Sequence, residues 1–533
     1  MLDLYAAPDD LLQSRIQLWV REAGGAWLPV PVMFASSMSE QPHAYGGSEG
    51  WAHLAASGAV ECRVRIPYAV HHAAIRPSLR DPLQFRFEAR ELFFSVAAPR
   101  CLVVELNHQA VTGRNFPRNT LYLMINAPED AAPVSERCRV LEPGLHAPEA
   151  FDPGECDGVY LLPGVHEVTG QMVDLYSHKF LYLSGGAHLR SYIRGEGVEH
   201  AALRGPGVID GTGVALKSIE WRDDGDAAFV FFRRGKHNRV DGPVIYDSPF
   251  WNLVTFGTTG TVIRNHKAIT WQVNNDGIQP RSCNDLLVEN CFLKCADDCV
   301  AVKTRRAAGM QSRNLRFRNL ICWNDLPGNA LEIGHTSQAD LLEDVRFENI
   351  EVIHSEENHT LSLTVIDHCT VRDIHYDGLY VEGVRNEDVK LLISTSRYST
   401  DPERGHIRDI HIRNYHTASA LRGGSVEGYD ANHLIENIHM QNVVEHAGTA
   451  EFRALESLAD LKLYQRHCCN LSYTPIISKP SVTMKPVVEV PSTPTRKNPM
   501  TNEHKPTDAT AAPALGSSIQ ITKIINPPTK FYN

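Results

Sequence analysis

The segments VIRNHKAI (262–269), LLVENCFL (286–293), LRFRNLICW (315–323) and VRFENIEVI (345–353) repeat one pattern. Each has alternating apolar residues, then an asparagine, then a second short apolar run. The same polar position recurs at intervals of 24 to 37 residues, at Asp241, Asn265, Asn290, Asn319, Asn349, Asp377, Asn414 and Asn442. A repeat of this length, made of short strands without helical periodicity, predicts a solenoid whose rungs bury their apolar faces against one another.

A right-handed parallel β-helix explains this repeat best. Stacking the rungs would align the asparagine side chains, which could then hydrogen-bond along the stack at the turns. Rungs of unequal length leave longer loops on one side, where a binding cleft would form. We therefore predict an all-β fold with a parallel β-helix over residues 155–450.

The segments flanking the repeat differ from it. Residues 1–150 contain alternating apolar and aromatic stretches such as RIQLWVRE and TLYLMINAP, which predict an antiparallel β-sandwich-like domain. A cluster of Pro and Gly in LEPGLHAPEAFDPGECDG marks the boundary. Residues 451–533 form a C-terminal extension, which we expect to be largely disordered from about residue 471 because runs such as PSTPTRKNP bury little apolar surface.

Composition excludes several classes of function. The 533 residues carry a net charge of -11, so no basic field is available for a nucleic-acid partner. No stretch is apolar enough to predict a membrane span, and the start lacks the pattern of a signal peptide. We expect a cytoplasmic protein by default, although a wrongly assigned start could hide a signal. Cys291, Cys295 and Cys299 lack metal-ligand spacing and are interpreted as buried free thiols, and no metal site or cofactor is predicted.

Three acidic residues stand among the strand-like repeats. Asp276 in NNDG (274–277) precedes Asp297 and Asp298 in ADDC (296–299) by 21 and 22 residues, close to one rung. Stacking should therefore place Asp276 beside the pair. Strand alternation would send one of the two adjacent acids into the core, so we expect a turn or bulge that brings both outward, exposed together on one face.

Spacing alone leaves three interpretations of this cluster. Repulsion among the carboxylates would raise at least one pKa and keep a proton available, as acid–base hydrolysis requires. Three carboxylates also suit a Ca²⁺ ion. A structural role in turns is the third possibility.

The motifs resemble those of the polygalacturonase-like glycoside hydrolases, the pectinase family of parallel β-helix enzymes. DSPFWNL (247–253) is similar to the family's SPxW segment, NNDGI (274–278) to its NTDG motif, and ADDCVAVK (296–303) to its GDDC(I/V)A(I/V)K motif. Asn275 replaces the family's Thr, and Ala296 replaces its Gly. The resemblance covers roughly residues 155–445 and implies that the β-helix is the catalytic domain.

The resemblance implies hydrolysis of a carbohydrate with inversion. Asp297 matches the family's general acid, while Asp276 and Asp298 match the pair that activates water. Asn274 matches the leading Asn of its motif, with a role in orienting Asp276 or a sugar hydroxyl. Lys303 matches a position near the substrate groove.

Two departures bear on the substrate. LPGNALEIGH (326–335) carries Asn329 where the family has a histidine, and TLSLTVIDHCTVRDI lacks the family's R-x-K motif, whose cations grip a uronate. Without a fixed cation a neutral sugar is favoured. Arg305 and Arg306 are the local features that favour an acidic one. Asn329 and Arg305 are accordingly predicted to bind substrate.

Tryptophans near the predicted cleft could stack on sugar rings, although packing in the core is the alternative for each. Trp271 and Trp323 are predicted to bind substrate in this way. Three other functions remain open: a dextranase- or isopullulanase-type hydrolase of neutral glucans, a Ca²⁺-dependent polysaccharide lyase, and a carbohydrate-binding β-helix without catalysis.

Overall fold

A computed structural model describes residues 1–37, 49–97, 99–107, 109–111, 114–116, 119–128, 133, 137–216, 228–446 and 452–475. These residues fall within one compact unit, Met1–Val490. Their helical segments are short 3₁₀ turns, at Asp9–Leu11, Pro148–Phe151, Arg306–Ala308 and Leu458–Leu461. None of the helices in this described part is long and apolar enough to cross a membrane.

The N-terminal strands form two facing sheets and a separate hairpin. They are β1 (Leu2–Leu4), β2 (Gln17–Arg21), β3 (Leu28–Val30), β4 (Met33–Ala35), β5 (Glu49–Ala56), β6 (Val60–Arg65), β7 (Ala73–Arg76), β8 (Phe85–Glu88), β9 (Glu91–Val96), β10 (Arg100–Leu106), β11 (Gln109–Val111), β12 (Arg114–Phe116) and β13 (Thr120–Asn126). One sheet has the order β1-β5-β13-β10-β7 with β4 beside β5, and the other has the order β3-β2-β6-β9-β8. All pairs are antiparallel except β5 with β13, which is parallel.

Alternation explains why these strands form a sandwich. In β2 and β6 the buried residues recur at every second position, which places one apolar face of each strand inward. Leu18 and Val64 from one sheet and Leu54 and Leu123 from the other belong to a single buried cluster. The predicted antiparallel sandwich-like domain is confirmed.

The remaining strands form the β-helix. They are β14 (Cys138–Leu141), β15 (Gly144–His146), β16 (Gly158–Leu161), β17 (Gly164–Asp174), β18 (Phe180–Leu183), β19 (Ala187–Glu196), β20 (Ala202–Arg204), β21 (Val208–Asp210), β22 (Val230–Arg233), β23 (Arg239–Asp241), β24 (Val244–Tyr246), β25 (Leu253–Phe256), β26 (Val262–Arg264), β27 (Lys267–Ile269), β28 (Ile278–Arg281), β29 (Asn284–Glu289), β30 (Phe292–Cys295), β31 (Val300–Thr304), β32 (Gln311–Arg318), β33 (Ile321–Asn324), β34 (Leu331–Ser337), β35 (Leu341–Ser355), β36 (His359–Val365), β37 (Thr370–Val381), β38 (Glu387–Ile393), β39 (His406–Thr417), β40 (Gly424–Glu427), β41 (Ile435–Glu445), β42 (Arg453–Ala454), β43 (Leu463–Arg466) and β44 (Cys468–Thr474).

Parallel pairing from rung to rung produces three sheets along the β-helix. The first contains β14, β16, β18, β20, β23, β26, β29, β32, β35, β37, β39, β41 and β44. The second contains β15, β17, β19, β21, β24, β27, β30, β33 and the ends of β35, β37, β39 and β41. The third contains the ends of β17 and β19, then β22, β25, β28, β31, β34, β36, β38, β40 and β43. The predicted right-handed parallel β-helix is confirmed.

The repeated polar position forms the predicted ladder at the turn between the first two sheets. Asn265 Nδ2 donates to Asp241 Oδ1 at 2.9 Å, and Asn319 Nδ2 donates to Asn290 Oδ1 at 3.1 Å. The φ of Asn265 is 53° and that of Asn290 is 57°, in the left-handed region. Asn enters this region more readily than most residues, which explains its use at a turn that also needs a side-chain amide.

The N-terminal domain packs on the second sheet of the β-helix, and this contact corrects two predictions. Trp271 and Trp323 are each 1% exposed. Trp271 meets Phe34 edge-on, with ring centroids 5.6 Å apart, and Trp323 meets Tyr122 at 5.4 Å. Both tryptophans fill the core between the domains, so the prediction that they stack on substrate is wrong.

The ends of the β-helix differ from the predicted limits. β14 and β15 already pair in parallel with β16 and β17, so the first rung begins at Cys138 rather than at residue 155. The last rung contains β44, which extends to Thr474 and so includes the first residues of the segment predicted to be disordered. The rest of that segment, 476–533, lies outside the described residues.

Candidate active site

The three predicted acids come together on adjacent rungs at the start of the third sheet. Asp276 lies in the turn before β28, and Asp297 and Asp298 lie in the bend before β31. The Gly277 N–H donates to the Asp298 carbonyl at 2.8 Å. Neighbouring rungs are about 4.8 Å apart, so the three side chains share one region, as their spacing predicts.

Their exposure differs from the prediction. Asp276 is 3% exposed and Asp298 is 6% exposed, while Asp297 is half-buried. The bend at residues 296–299 keeps both adjacent acids out of the apolar core, as expected, but neighbouring side chains and the 326–329 turn cover them. The expectation that all three are exposed is therefore wrong.

Asp276 is held by two donors. Gln279 Nε2 donates to its Oδ2, and Lys303 Nζ lies 3.0 Å from the same oxygen. Gln279 in turn accepts a hydrogen bond from Arg281 Nε, and the Arg281 guanidinium lies 4.0 Å from the centre of the Trp251 ring. An amide and an ammonium group therefore fix the position of the Asp276 side chain.

The surroundings of the two adjacent acids, Asp297 and Asp298, raise the pKa of both. Burial, together with the charges of Asp276 and Glu332, raises the pKa of Asp298 to about 7. Burial, followed by repulsion from Asp276 and Asp298, raises the pKa of Asp297 well above its usual range. Asp297 therefore keeps its proton at a pH where an ordinary aspartic acid has lost it.

Asn329 connects Asp298 to a fourth carboxylate. Its backbone N–H and its Nδ2 donate to Asp298 Oδ1 at 2.8 and 3.2 Å. Nδ2 also donates to Glu332 Oε2 at 3.0 Å, and Glu332 is fully buried. Asn329 Oδ1 accepts the backbone N–H of His359 at 3.1 Å. The residue at the family's histidine position thus contacts a predicted catalytic acid directly.

Gly328 allows the covering turn to pass close to the acids. Its φ of 105° is accessible mainly to glycine. A Cβ at this position would lie 2.6 Å from the backbone of Asp297 and Asp298 and 2.7 Å from Asp297 Oδ1. The distance between Asn329 and Asp298 therefore depends on a glycine at residue 328.

Two other residues predicted to bind substrate lie on the same rungs as the acids, Asn274 before β28 and Arg305 after β31. Asn274 is half-buried with a φ of 59°, two residues before Asp276. The backbone N–H of Arg305 donates to Ser282 Oγ at 2.9 Å, and the Arg305 charge helps burial to lower the pKa of Arg281 to about 9. Arg306 Nη2 pairs with Asp401 Oδ1 at 2.6 Å.

Sequence reasoning missed several residues of the site, including Gln279, Arg281, Glu332 and Lys390. Glu332, Ser362 and Lys390 occupy one register position on consecutive strands of the third sheet. Their separations of 30 and 28 residues match the repeat, so aligning the rungs by register would have found them. The R-x-K motif lies within one rung, so a lysine on the next rung does not match it.

Comparison with known proteins supports the resemblance. The model of glycosyl hydrolases family 28 matches residues 177–419. A probable polygalacturonase of Vitis vinifera is 27% identical over 154 residues, 28% of this chain and 31% of the relative. A polygalacturonase of Juniperus ashei is 29% identical over 160 residues, 28% of this chain and 30% of the relative. The chain thus spans about a third of the length of these curated relatives.

One solved structure resembles the whole architecture. Dex49A from Penicillium minioluteum has a TM-score of 0.65 at 12% identity, and the alignment covers 88% of this chain and 96% of that one. At this identity the likeness concerns the fold. Together with the family match, it confirms the resemblance to the polygalacturonase-like β-helix proteins that the motifs predict.

Proposed function

Because residues 177–419 match the glycosyl hydrolases family 28 model, we propose that this protein hydrolyses glycosidic bonds of a poly- or oligosaccharide. The observation that carries the proposal is that three aspartic acids in one cluster have different surroundings. Burial and repulsion raise the pKa of Asp297 well above its usual range, while the Lys303 ammonium lies 3.0 Å from Asp276 Oδ2. Glycoside hydrolysis needs one carboxylic acid and one carboxylate.

In the proposed reaction Asp297 gives its proton to the glycosidic oxygen as the bond to the anomeric carbon breaks. A water attacks that carbon from the opposite face and loses a proton to the carboxylates of Asp276 and Asp298. The product has the inverted configuration, and the proton gained by the base returns to Asp297 through solvent. Lys303 offsets the negative charge on Asp276 between turnovers.

We further propose a neutral substrate. The Lys303 ammonium beside the acids is already paired with Asp276, so a uronate would have to compete for it. Arg281 Nε donates to Gln279, but its Nη2 is buried without a hydrogen-bond partner among the described residues, which favours an acidic substrate. Lys390 favours the acidic alternative, since its side chain is half-buried and acts on Glu332.

A reducing-end assay across neutral and acidic polysaccharides tests both proposals. We expect release of reducing ends from a neutral glycan, abolished by Asp297→Asn and retained by Glu343→Gln, a charge-removing exchange on the first sheet. Proton NMR of the first product should show the inverted anomer. Robust cleavage of polygalacturonate, lost on Lys390→Ala, would contradict the neutral substrate.

The same samples separate the remaining alternatives. Turnover abolished by EDTA, restored by Ca²⁺ and accompanied by an unsaturated product would support the lyase. Sugar binding without release of any product would support a carbohydrate-binding role. A hydrolase that acts through Asp297 should keep its turnover in EDTA.

A further inference from the structure

Glu332 is a carboxylate of the site to which the proposed reaction assigns no step. It lies in β34 at the register position between Ala301 and Ser362, on neighbouring rungs of the third sheet. It is fully buried, and its Oε1 lies 3.7 Å from His335 Nδ1. A carboxylate in such a place carries a desolvation cost that surrounding groups must offset.

The Asn329 amide fixes the relation between Glu332 and Asp298. Its NH₂ group donates to Asp298 Oδ1 at 3.2 Å and to Glu332 Oε2 at 3.0 Å, so both amide hydrogens point at carboxyl oxygens. Its carbonyl oxygen accepts the His359 N–H at 3.1 Å, which prevents the amide from flipping. Two carboxyl groups held on either side of one nitrogen repel each other when both are charged.

The other charged and titratable groups that act on Glu332 come from four strands and one turn. They are Asp276, Lys303, Lys390, His335 and Tyr376. Lys303 is paired with Asp276, and Lys390, on the rung beyond Ser362, is the second lysine whose charge acts on Glu332. Two ammonium groups cannot neutralise the three carboxylates of Asp276, Asp298 and Glu332, so the Asp298–Glu332 pair holds a proton over a wider pH range than either acid alone.

We propose that Glu332 is a positioning residue that acts through Asn329 and shares one proton with Asp298, and so sets the pH at which Asp298 becomes a base. This inference rests on the proposed hydrolase function. Asn329 cannot titrate, so the titrating group joined to Asp298 through this amide is Glu332. The Asn329 amide fixes the positions of the two carboxyl groups, and the charge of Glu332 changes the pKa of Asp298.

The activity experiment is the pH dependence of kcat/KM in Glu332→Gln. The carboxamide keeps an oxygen to accept the Asn329 hydrogen bond but carries no charge. Removing the charge lowers the pKa of Asp298, so we expect the acidic limb to move to lower pH by about one unit. Glu332→Asp keeps the negative charge, and Glu343→Gln removes a charge on the first sheet. Both variants should show the acidic limb at the same pH as the unaltered protein. A uniform loss of rate with an unmoved limb would overturn the proposal.

A second experiment needs no turnover and compares urea midpoints at pH 5 and pH 8 for the full chain, Glu332→Gln, Asp298→Asn and the double variant. Repulsion at pH 8 is removed by either single change. The midpoint gain of the double variant should therefore be smaller than the two single gains combined. Equality would overturn proton sharing. An inactive protein that still shows this coupling would refute the hydrolase function and leave the sharing intact.

Discussion

Replacing Asp298 by Asn should stabilise the protein at alkaline pH while removing its activity. The pKa of Asp298 is about 7 in the folded protein against an ordinary 3.8, a difference of about three units. Each unit corresponds to about 1.4 kcal/mol, so the ionised side chain costs up to about 4 kcal/mol of folding free energy at pH 8. Repulsion shared with Asp276 and Glu332 and relaxation of the site reduce the expected gain to about 2 kcal/mol.

Proton linkage determines whether stability rises or falls with pH. Because the folded pKa is raised, the folded state binds more protons than the unfolded state between pH 3.8 and about 7, and stability falls as pH rises through that range. The Asn variant has no proton to lose there. Its side-chain oxygen can still accept the two hydrogen bonds from Asn329, which donates through its backbone N–H and Nδ2.

Urea denaturation at pH 4 and pH 8, with refolding checked at each pH, measures this effect. We expect nearly equal midpoints at pH 4 and a clearly higher midpoint for Asp298→Asn at pH 8. Glu348→Gln, an exchange at an exposed position of β35, controls for loss of a negative charge elsewhere on the chain. A variant less stable than the unaltered protein at pH 8 would refute the argument that Asp298 is held against a desolvation cost.

Two further predictions concern the acid cluster, and a third concerns the contact between the N-terminal domain and the β-helix. Asp297→Asn should reduce kcat by about 10²–10⁴-fold, the usual contribution of a general acid, with an unchanged melting profile at pH 5. Gly328→Ala should lower both activity and melting temperature because its Cβ would meet the backbone of Asp297 at 2.6 Å; Gly213→Ala, also at positive φ but with nothing within 4 Å, is the matched control. His354 bonds Glu105 across the domain contact at 2.7 Å, and burial opposed by that carboxylate leaves its pKa raised to about 9. Its contribution is present below pH 6.5 and lost as pH rises through about 9, so His354→Gln should flatten the decline in melting temperature between pH 7 and pH 10.

The architecture and the clustering of the three aspartic acids were predictable from the sequence because both depend on local periodicity. Strands alternate with a period of two, and the Asn ladder marks each turn, so the rungs can be counted from the chain alone. A separation of 21 residues between Asp276 and Asp297 is close to one rung, and residues one rung apart must be neighbours in a stack. No long-range information is needed for that step.

Other features depend on which surfaces meet, and periodicity does not contain that information. Trp271 and Trp323 became core residues because the N-terminal domain covers the second sheet, and nothing in a rung shows which of its faces will be covered. Burial of the acids depends on the 326–329 turn passing over them. Aligning the rungs finds Glu332 on the third sheet, but it cannot show that the Asn329 amide joins Glu332 to Asp298. Only packing in three dimensions determines how much water each carboxylate retains, and therefore where its proton is held.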